Sequence, residues 1–268
     1  MRPGRAVQPP VRVTTCGGCL GSLGPVDRDS LRTSAGVHAR RAVHRWRRTR
    51  SLRGWALRGA LRTLDGPVSD IYGFDRGTPI DRPYIEGYLT QHSRDVHGRV
   101  LEVKSDDYAR LFGGPRVSAV EVVDVDTDNP HATLVADLNV AGALPTAAYD
   151  CVLLTQTLQF LTPAVALPSL YASLAPGGVL LITTSALTRQ ETPDSDRWRL
   201  PPSGLLDLLQ EHLPAEAEVE VESRGNAVAA AASLLGMAVE ELGASRLIAH
   251  DWRFPVVSLA RVRRPSAG

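Results

Sequence analysis

The stretch YDCVLLTQTLQFLTPAVALPSLYASLAPGGVLLITTS, residues 149–185, decides the fold. Its opening segment, YDCVLLT (149–155), is almost entirely apolar, which is typical of a strand covered on both faces. A helix is predicted over 163–174, and the Pro-Gly-Gly turn at 176–178 leads into a second apolar strand over 179–185. Strand, helix and strand in this order indicate an α/β unit with parallel strands.

The same alternation of strands and helices continues on both sides of this stretch. It predicts a Rossmann-like, doubly wound α/β fold whose seven-stranded sheet is mostly parallel, with an antiparallel edge strand. The other predicted helices cover 79–96, 202–212 and 226–242, and the other predicted strands cover 99–103, 117–124, 132–136, 216–223 and 255–262.

Charge divides the chain into two parts of opposite sign. Residues 1–64 contain fourteen Arg and two acids, whereas the other 204 residues contain 27 acids and 16 bases. Such asymmetry usually marks a tail joined to a folded body. We expect a disordered extension over 1–37, a basic helical segment over 38–69 and the folded domain over 70–268. For the basic segment, a solvated tail or a helix that docks on the acidic body is favoured over binding to nucleic acid or an anionic membrane.

Cysteine usage and hydropathy favour a cytoplasmic protein. Three cysteines, Cys16, Cys19 and Cys151, do not make a disulfide framework, and no apolar run is long enough for a membrane span. The N-terminus has no secretion signal. The Cys16–Cys19 pair has no second pair of zinc ligands nearby, so we predict no metal site, and Cys151 in its apolar strand is predicted to be a core residue.

Acidic residues follow three of the predicted strands. Ligands of open α/β sheets bind outside the carboxyl ends of the strands, at the point where the strand order reverses. Glu102 ends the first strand, Asp124 ends the second and Asp137 follows the third element. Carboxylates there can accept hydrogen bonds from ribose hydroxyls or an exocyclic amine, which predicts a nucleoside ligand. Glu121 and Asp126 are rivals of Asp124 if the second strand ends elsewhere.

The order of these motifs resembles the class I S-adenosylmethionine-dependent methyltransferases, and most closely the branch with the methyltransferase type 11 domain. The motifs are VLEV (100–103), an acid at the end of the second strand, VADL (135–138), YDCVLLTQTLQFL (149–161) and LAPGGVLLIT (174–183). The stretch GFDRGTPIDRPYIEGYL (73–89) is similar to the segment before the first strand in bacterial members found near sugar- and natural-product-modifying enzymes. The resemblance covers about residues 70–262.

The resemblance implies S-adenosylmethionine as cofactor and O- or N-methylation of a small molecule in secondary or sugar metabolism. It further implies that Gln159 lines the reacting face and that Trp198 lies in a substrate-side loop. The implied cofactor contacts are Glu102, Val103, Lys104 and Ser105 near the methionine portion and ribose, Asp124 and Val125 near the ribose hydroxyls, Asp137 and Leu138 beside the adenine, and Thr155 and Gln156 at the reacting face.

Two departures from the family pattern keep other functions open. The loop after the first strand, residues 104–108 (KSDDY), has no glycine where the family has a Gly-rich loop, and only VDTDNPH (125–131) separates the second and third strands. The alternatives are a partner subunit that keeps the fold without methylation, and a cyclase or rearrangement enzyme on the same fold. No spacing selects a general base from Asp81, His92, His97, His212 and His250.

A nucleic-acid substrate is disfavoured by the residues that follow the fourth strand. Methyltransferases that act on bases often carry a D/N-P-P-Y/F-type motif there, whereas this chain has TQTLQF (155–160). The sequence therefore favours a small-molecule acceptor, and it does not determine the oligomeric state.

Overall fold

The computed structural model describes residues 52–266, which belong to two compact units. The described part of one unit, residues 52–67, contains helix α1, Leu52–Thr63, within the predicted basic segment. The described part of the other unit runs from Val68 to residue 266. The predicted extension over 1–37 and the Cys16–Cys19 pair lie outside the described residues.

The larger unit is built on one sheet of seven strands. Predicted and observed bounds agree for the second and fourth strands, whereas the third is shorter than predicted. The strands are β1 Gly98–Val103, β2 Val117–Asp124, β3 Leu134–Val135, β4 Tyr149–Thr155, β5 Leu174–Ser185, β6 Glu218–Arg224 and β7 Val257–Arg263.

The sheet has the strand order β3-β2-β1-β4-β5-β7-β6. The first five strands pair in parallel, and β7 is antiparallel to both β5 and β6. The predicted α/β, mostly parallel seven-stranded sheet is therefore confirmed. The antiparallel strand β7 lies beside the edge strand β6, because the chain returns from β6 into the space next to β5.

Helices cover both faces of the sheet. Adjacent residues of one strand enter different apolar clusters, as Val100 and Leu101 of β1 do, because successive side chains of a strand point to opposite faces. Cys151 is buried in the core, as predicted. The helices of this unit are α2 Arg82–Gln91, α3 Pro163–Ser173, α4 Pro202–His212, α5 Ala227–Leu234 and α6 Val239–Leu242, with a π-helix at Ala109–Gly113.

The predicted helix over 226–242 is two helices, α5 and α6, separated at Gly236. Gly236 has φ +69°, and a Cβ there would lie 2.3 Å from the carbonyl oxygen of Ser69. The chain therefore turns at this residue, where only glycine fits. Asn226 begins α5, since its Oδ1 accepts hydrogen bonds from the backbone N–H groups of Val228 and Ala229, both at 3.0 Å.

The sheet is least covered at the β3 edge. No helix of the described chain separates β2 from β3 or β3 from β4. The β3–β4 connection instead places Leu138 and Leu144 in the apolar cluster on one face. None of the helices between residues 52 and 266 has the length and apolar character that crossing a membrane requires.

Candidate functional site

The reversal in strand order lies between β1 and β4. From β1 the chain proceeds to β2 and β3 on one side, and from β4 to β5 on the other. Lys104, directly after β1, donates its backbone N–H to the carbonyl of Val123 (3.0 Å), which places it beside Asp124 at the end of β2. Thr155 at the end of β4 pairs with Thr183 of β5. The candidate site is the crevice at these carboxyl ends.

Two residues with left-handed backbone flank the reversal. Lys104 has φ +71° and Gln156, directly after β4, has φ +48°. A residue with a Cβ pays roughly 1–2 kcal/mol for this conformation, and such residues cluster at functional sites. Lys104 therefore has the left-handed backbone conformation that glycine adopts readily, although the Gly-rich loop of the family pattern is absent. Ser105, which follows it, is partly exposed.

Replacing Lys104 with Gly is expected to stabilise the protein by about 0.5–1 kcal/mol. Glycine removes the cost of the left-handed backbone, and the greater freedom of its unfolded chain offsets part of that gain. Lys104→Ala, which keeps the Cβ, is the control. Urea unfolding of the three proteins checks the prediction, which is contradicted if the Ala variant is stabilised as much as the Gly variant.

Glu102, a predicted cofactor contact, has its side chain turned into the protein. Its side chain is 1% exposed, and its two carboxylate oxygens accept the backbone N–H groups of Tyr108 (3.1 Å) and Ala109 (2.7 Å). Burial raises the pKa of Glu102 to about 7; the two amide donors oppose this, and the nearby carboxylates Asp106 and Asp107 add to it. Glu102 thus holds the loop after β1 from inside. Val103 packs against the apolar cluster on the other face.

Asp124 does stand at the end of β2, with 7% of its surface exposed. Its Oδ1 accepts the backbone N–H of Asp126 (3.1 Å), and its Oδ2 accepts Nδ2 of Asn129 (2.7 Å). Burial alone raises the pKa of Asp124, but these hydrogen bonds outweigh it and the pKa is lowered. The carboxylate is therefore charged at neutral pH, and each of its oxygens has an acceptor position that the hydrogen bonds from Asp126 and Asn129 do not use.

Glu121 and Asp126, the alternatives to Asp124, do not lie at the end of β2. Glu121 accepts hydrogen bonds from the hydroxyl of Tyr149 and from Arg99 (3.1 Å) within β2, and Asp126 is exposed in the following turn.

Asn129 joins the ends of β1 and β2, and sequence reasoning missed it. Its Nδ2 donates to the Lys104 carbonyl (2.8 Å) and to Asp124 (2.7 Å), while its Oδ1 accepts the backbone N–H of His131 (2.9 Å). It supplies the support that a helix between β2 and β3 would otherwise give. The Asn-Pro pair in VDTDNPH indicated a turn, but nothing local indicated which groups the amide would reach.

The residues predicted to contact the ribose and the adenine differ in exposure. Val125, predicted near the ribose hydroxyls, is 69% exposed beside Asp124. Asp137 is exposed, and its Oδ1 accepts the backbone N–H of Asn139 (2.8 Å), which leaves Oδ2 free among the described residues. Leu138, predicted beside the adenine, is buried in an apolar cluster, so its side chain faces the core.

Neutral polar side chains form the floor of the crevice next to β4. Gln159 donates Nε2 to the carbonyl of Gln156 (2.8 Å) and accepts the Thr184 hydroxyl at Oε1 (3.2 Å). Ser185 donates to Oε1 of Gln156 (3.0 Å). The Nε2 of Gln156 is buried without a hydrogen-bond partner among the described residues.

The loop after β5 is held by buried polar contacts. Trp198 donates Nε1 to the carbonyl of Leu161 (3.0 Å), which ties the loop to the segment after β4. Asp196, 2% exposed, forms a two-point ion pair with Arg199 at 2.6 and 2.7 Å. The predicted substrate-side loop is thus a fixed wall in this structure.

The segment before α2 crosses the same edge of the sheet. The guanidinium of Arg82 donates to the hydroxyl of Tyr108, beside the loop after β1, and lies 5.6 Å from the ring centre of Phe74. No carboxylate of the described chain lies within ion-pair distance of Arg82. The sequence analysis likened residues 73–89 to a family segment and gave Arg82 no role.

The structure separates the five candidate bases. His92 and His97 precede β1 and His212 precedes β6, so all three lie at the amino ends of strands, opposite the crevice. His250 lies 3.2 Å from the carbonyl of Gly225, after β6 at the far side of the sheet. Asp81, directly before α2, is the candidate next to the crevice, and burial raises its pKa.

A metal site and a second cleft are the other features that could bind a ligand. Among the described residues, no group of His, Cys, Asp and Glu is placed to hold a metal ion. A shallow cleft lined by Arg110, Gly114 and residues 117–120 lies at the amino end of β2, opposite the crevice, so it is not the candidate site.

No family model and no curated protein matches the chain. Solved structures that resemble it include the [4+2]-cyclase SpnF, with 16% identity, 76% of this chain and 88% of that chain covered, and a TM-score of 0.49. An S-adenosylmethionine-dependent methyltransferase from Mesorhizobium loti is 16% identical to this chain. The match covers 69% of this chain and 98% of that chain, with a TM-score of 0.43. A methyltransferase of the same kind from Archaeoglobus fulgidus is 12% identical. The match covers 68% of this chain and 94% of that chain, with a TM-score of 0.45. The chain has a Rossmann-like α/β fold with a mostly parallel seven-stranded sheet, in which β7 is antiparallel between β5 and β6, as the sequence predicted.

Proposed function

We propose that this protein is an S-adenosylmethionine-dependent methyltransferase that transfers the methyl group to oxygen or nitrogen of a small molecule in secondary or sugar metabolism. The observation that carries the proposal is that Asp124 and Lys104 lie side by side at the strand-order reversal. Asp124 presents a charged carboxylate with free acceptor positions, directly beside the left-handed Lys104. A ribose diol needs two acceptor positions at one carboxylate, and Asp124 has them.

The residues on the β2 and β3 side fit the nucleoside part of this cofactor. Val125 offers an exposed aliphatic surface on which a base can pack. The free oxygen of Asp137 can accept a hydrogen bond from the exocyclic amine of adenine. Glu102 has no direct part, since its carboxylate is occupied by Tyr108 and Ala109, and it positions the loop instead.

The residues on the other side of β1 fit the amino-acid part. Arg82 presents a guanidinium without a carboxylate partner beside Tyr108, which suits the carboxylate of the methionine portion. Lys104 adds a second, exposed positive charge next to the loop. These cations replace part of the binding that backbone amides of a Gly-rich loop provide elsewhere.

The bound cofactor supplies a methyl group that its sulfonium already activates, so the protein must mainly position the acceptor and exclude water. The floor of Gln156, Gln159 and Ser185 orients the acceptor by neutral hydrogen bonds. The carboxylate of Asp81, which precedes α2 next to Arg82 and whose pKa is raised by burial, is the group that we assign to take a proton from an acceptor hydroxyl.

Calorimetry with S-adenosylhomocysteine tests the proposal. We expect binding in the micromolar range for the unmodified protein and about 10–30-fold weaker binding for Asp124→Ala, because two hydrogen bonds to a charged group are lost. Asp126→Ala is the matched control, since it removes an exposed carboxylate from the same turn. We expect its affinity to stay within about 2-fold of the unmodified protein.

The same measurement separates the alternatives. An unmodified protein that does not bind at millimolar ligand would contradict the proposal and favour a partner subunit that keeps only the fold. Binding without methyl transfer to any acceptor would favour a cyclase or rearrangement enzyme. Equal affinities of the Asp124 and Asp126 variants would place the ribose elsewhere.

A further inference from the structure

Three arginines lie in the loop after β5, and the charges of two of them, Arg189 and Arg199, are balanced differently. Arg199 is saturated: it is paired with the buried carboxylate of Asp196, and its Nε donates to the carbonyl of Thr188 (3.0 Å). Arg189 has no carboxylate within 4.0 Å among the described residues. Its guanidinium is therefore partly buried without an ion-pair partner among the described residues, an arrangement that costs stability unless something compensates it.

The contacts of Arg189 hold its guanidinium in place and leave part of it unused. One Nη donates to the carbonyl of Asp70, and the other lies 3.5 Å from the carbonyl of Gln190. The guanidinium carbon lies 4.1 Å from the ring centre of Tyr72, a close cation–π contact. The Nε of Arg189 is buried and has no hydrogen-bond partner among the described residues. The hydrogen bond to the Asp70 carbonyl uses one N–H group of the guanidinium and does not account for the others.

Tyr72 is fixed in an unusual conformation for this contact. Its φ is +60°, and glycine, with φ +89°, follows at position 73. A tyrosine with left-handed backbone is strained, and strain of this kind persists where the surrounding structure enforces it for function. The ring of Tyr72 thus presents one face to Arg189 and fixes the plane of the guanidinium.

The position of Arg189 in the fold is on the acceptor side of the crevice. The segment that carries Tyr72 reaches Tyr108 after β1 through Arg82, and reaches Arg189 after β5 through Tyr72. In the strand order β4 lies between β1 and β5, and Gln156 follows β4 directly. Arg82 lies with the loop after β1 and Arg189 lies in the loop after β5, so the two arginines belong to opposite sides of β4 in the strand order.

We propose that Arg189, held against Tyr72, binds an anionic group of the methyl acceptor, a carboxylate or a phosphate. Nε and a neighbouring Nη of a guanidinium form a fork that matches two oxygens of such a group. The anion would satisfy the unused Nε–H and pair with a guanidinium that has no carboxylate within 4.0 Å among the described residues. This inference rests on the proposed methyl transfer, and it makes Arg189 a residue that determines acceptor specificity.

Paired probes that differ in charge test this inference. Benzoate is compared with benzamide, and phenyl phosphate with phenol, by calorimetry at constant ionic strength, with and without saturating S-adenosylhomocysteine. We expect the unmodified protein to bind one anion of these pairs at least 10-fold more tightly than its neutral counterpart, and the pair that shows this identifies carboxylate or phosphate. Arg189→Met should abolish the preference, whereas Arg197→Met, at an exposed arginine of the same loop, should keep it.

The inference is overturned if the unmodified protein shows no preference, if Arg189→Met keeps it, or if Arg197→Met loses it equally. Tyr72→Leu, which leaves the charge in place, decides the matter if Arg189→Met fails to fold. A reduced preference in the Tyr72 variant supports the inference, and an unchanged one contradicts it. Binding of S-adenosylhomocysteine is measured separately, so failure of the cofactor proposal and failure of the anion site are distinguishable.

Discussion

Replacing Asn129 with Asp is expected to weaken the binding of S-adenosylhomocysteine by about 100-fold at pH 7.5. The new carboxylate would replace an amide that lies 2.7 Å from Asp124 and 2.8 Å from the carbonyl of Lys104. Two carboxylates at this distance repel each other by several kcal/mol near a protein surface, and about 2.7 kcal/mol corresponds to 100-fold in affinity. Asp124 must then turn away or share a proton, and either change removes acceptor positions from the ribose.

The pH dependence of this variant distinguishes the mechanism from general damage. Neighbouring carboxylates share a proton when the pH falls, and the protonated member then donates a hydrogen bond, as the amide of Asn129 did. We therefore expect calorimetry at pH 5.5 to recover part of the affinity that is lost at pH 7.5.

Asn139→Asp makes the same charge change on the same side of the sheet and serves as the control. Asn139 accepts the backbone N–H of Thr162 through Oδ1 (2.7 Å), a role that aspartate can also fill. We expect its affinity to change by less than about 3-fold. Equal losses in the two variants, or a loss for Asn129→Asp that does not depend on pH, would show that Asn129 has no specific role at Asp124.

Glu102 is expected to make the stability of the protein fall as the pH rises from about 4.5 to about 7. Burial raises its pKa from 4.5 in the unfolded chain to about 7 in the folded protein. A raised folded pKa means that the protonated form is favoured by folding. This contribution is fully present below the unfolded pKa and is lost as the pH passes the folded pKa. The difference corresponds to about 3 kcal/mol.

The measurement compares urea unfolding of the unmodified protein and of Glu102→Gln at pH 5, 6, 7 and 8. The glutamine cannot ionise, so the free energy of unfolding of the unmodified protein should fall relative to the variant across this range, by up to about 3 kcal/mol. Glu86→Gln, at an exposed position of α2, is the control and should follow the unmodified protein. Parallel profiles for the unmodified protein and Glu102→Gln would contradict the prediction.

The two predictions concern different parts of one arrangement. Glu102 holds the loop after β1 from the interior, and Asn129 holds the same loop and Asp124 from the surface. Together they replace two features of the family that the chain lacks, the Gly-rich loop and the helix between β2 and β3. A loss of affinity without a loss of stability in the Asn129 variant would show that the two supports act independently.

Sequence alone determined the sheet and predicted the place of the candidate site. The strands at 117–124 and 149–155 were predictable to the residue, because an apolar run bounded by polar or turn residues is a local signal. Asp124 at the end of β2 followed from the same signal. The crevice between β1 and β4 followed from the alternation of strands and helices, which restricts the connections a sheet can have.

Only the tertiary structure decided what each polar group at the crevice does. Glu102 and Asp124 are both acids at strand ends, yet one is occupied by backbone amides of the next helical segment and the other keeps free acceptor positions. Asn129 and Arg189 gained their partners from residues distant in the chain, Lys104 and Tyr72. Hydrogen-bond and stacking partners depend on distances between separate elements, and the spacing of residues along one strand or loop carries no record of them.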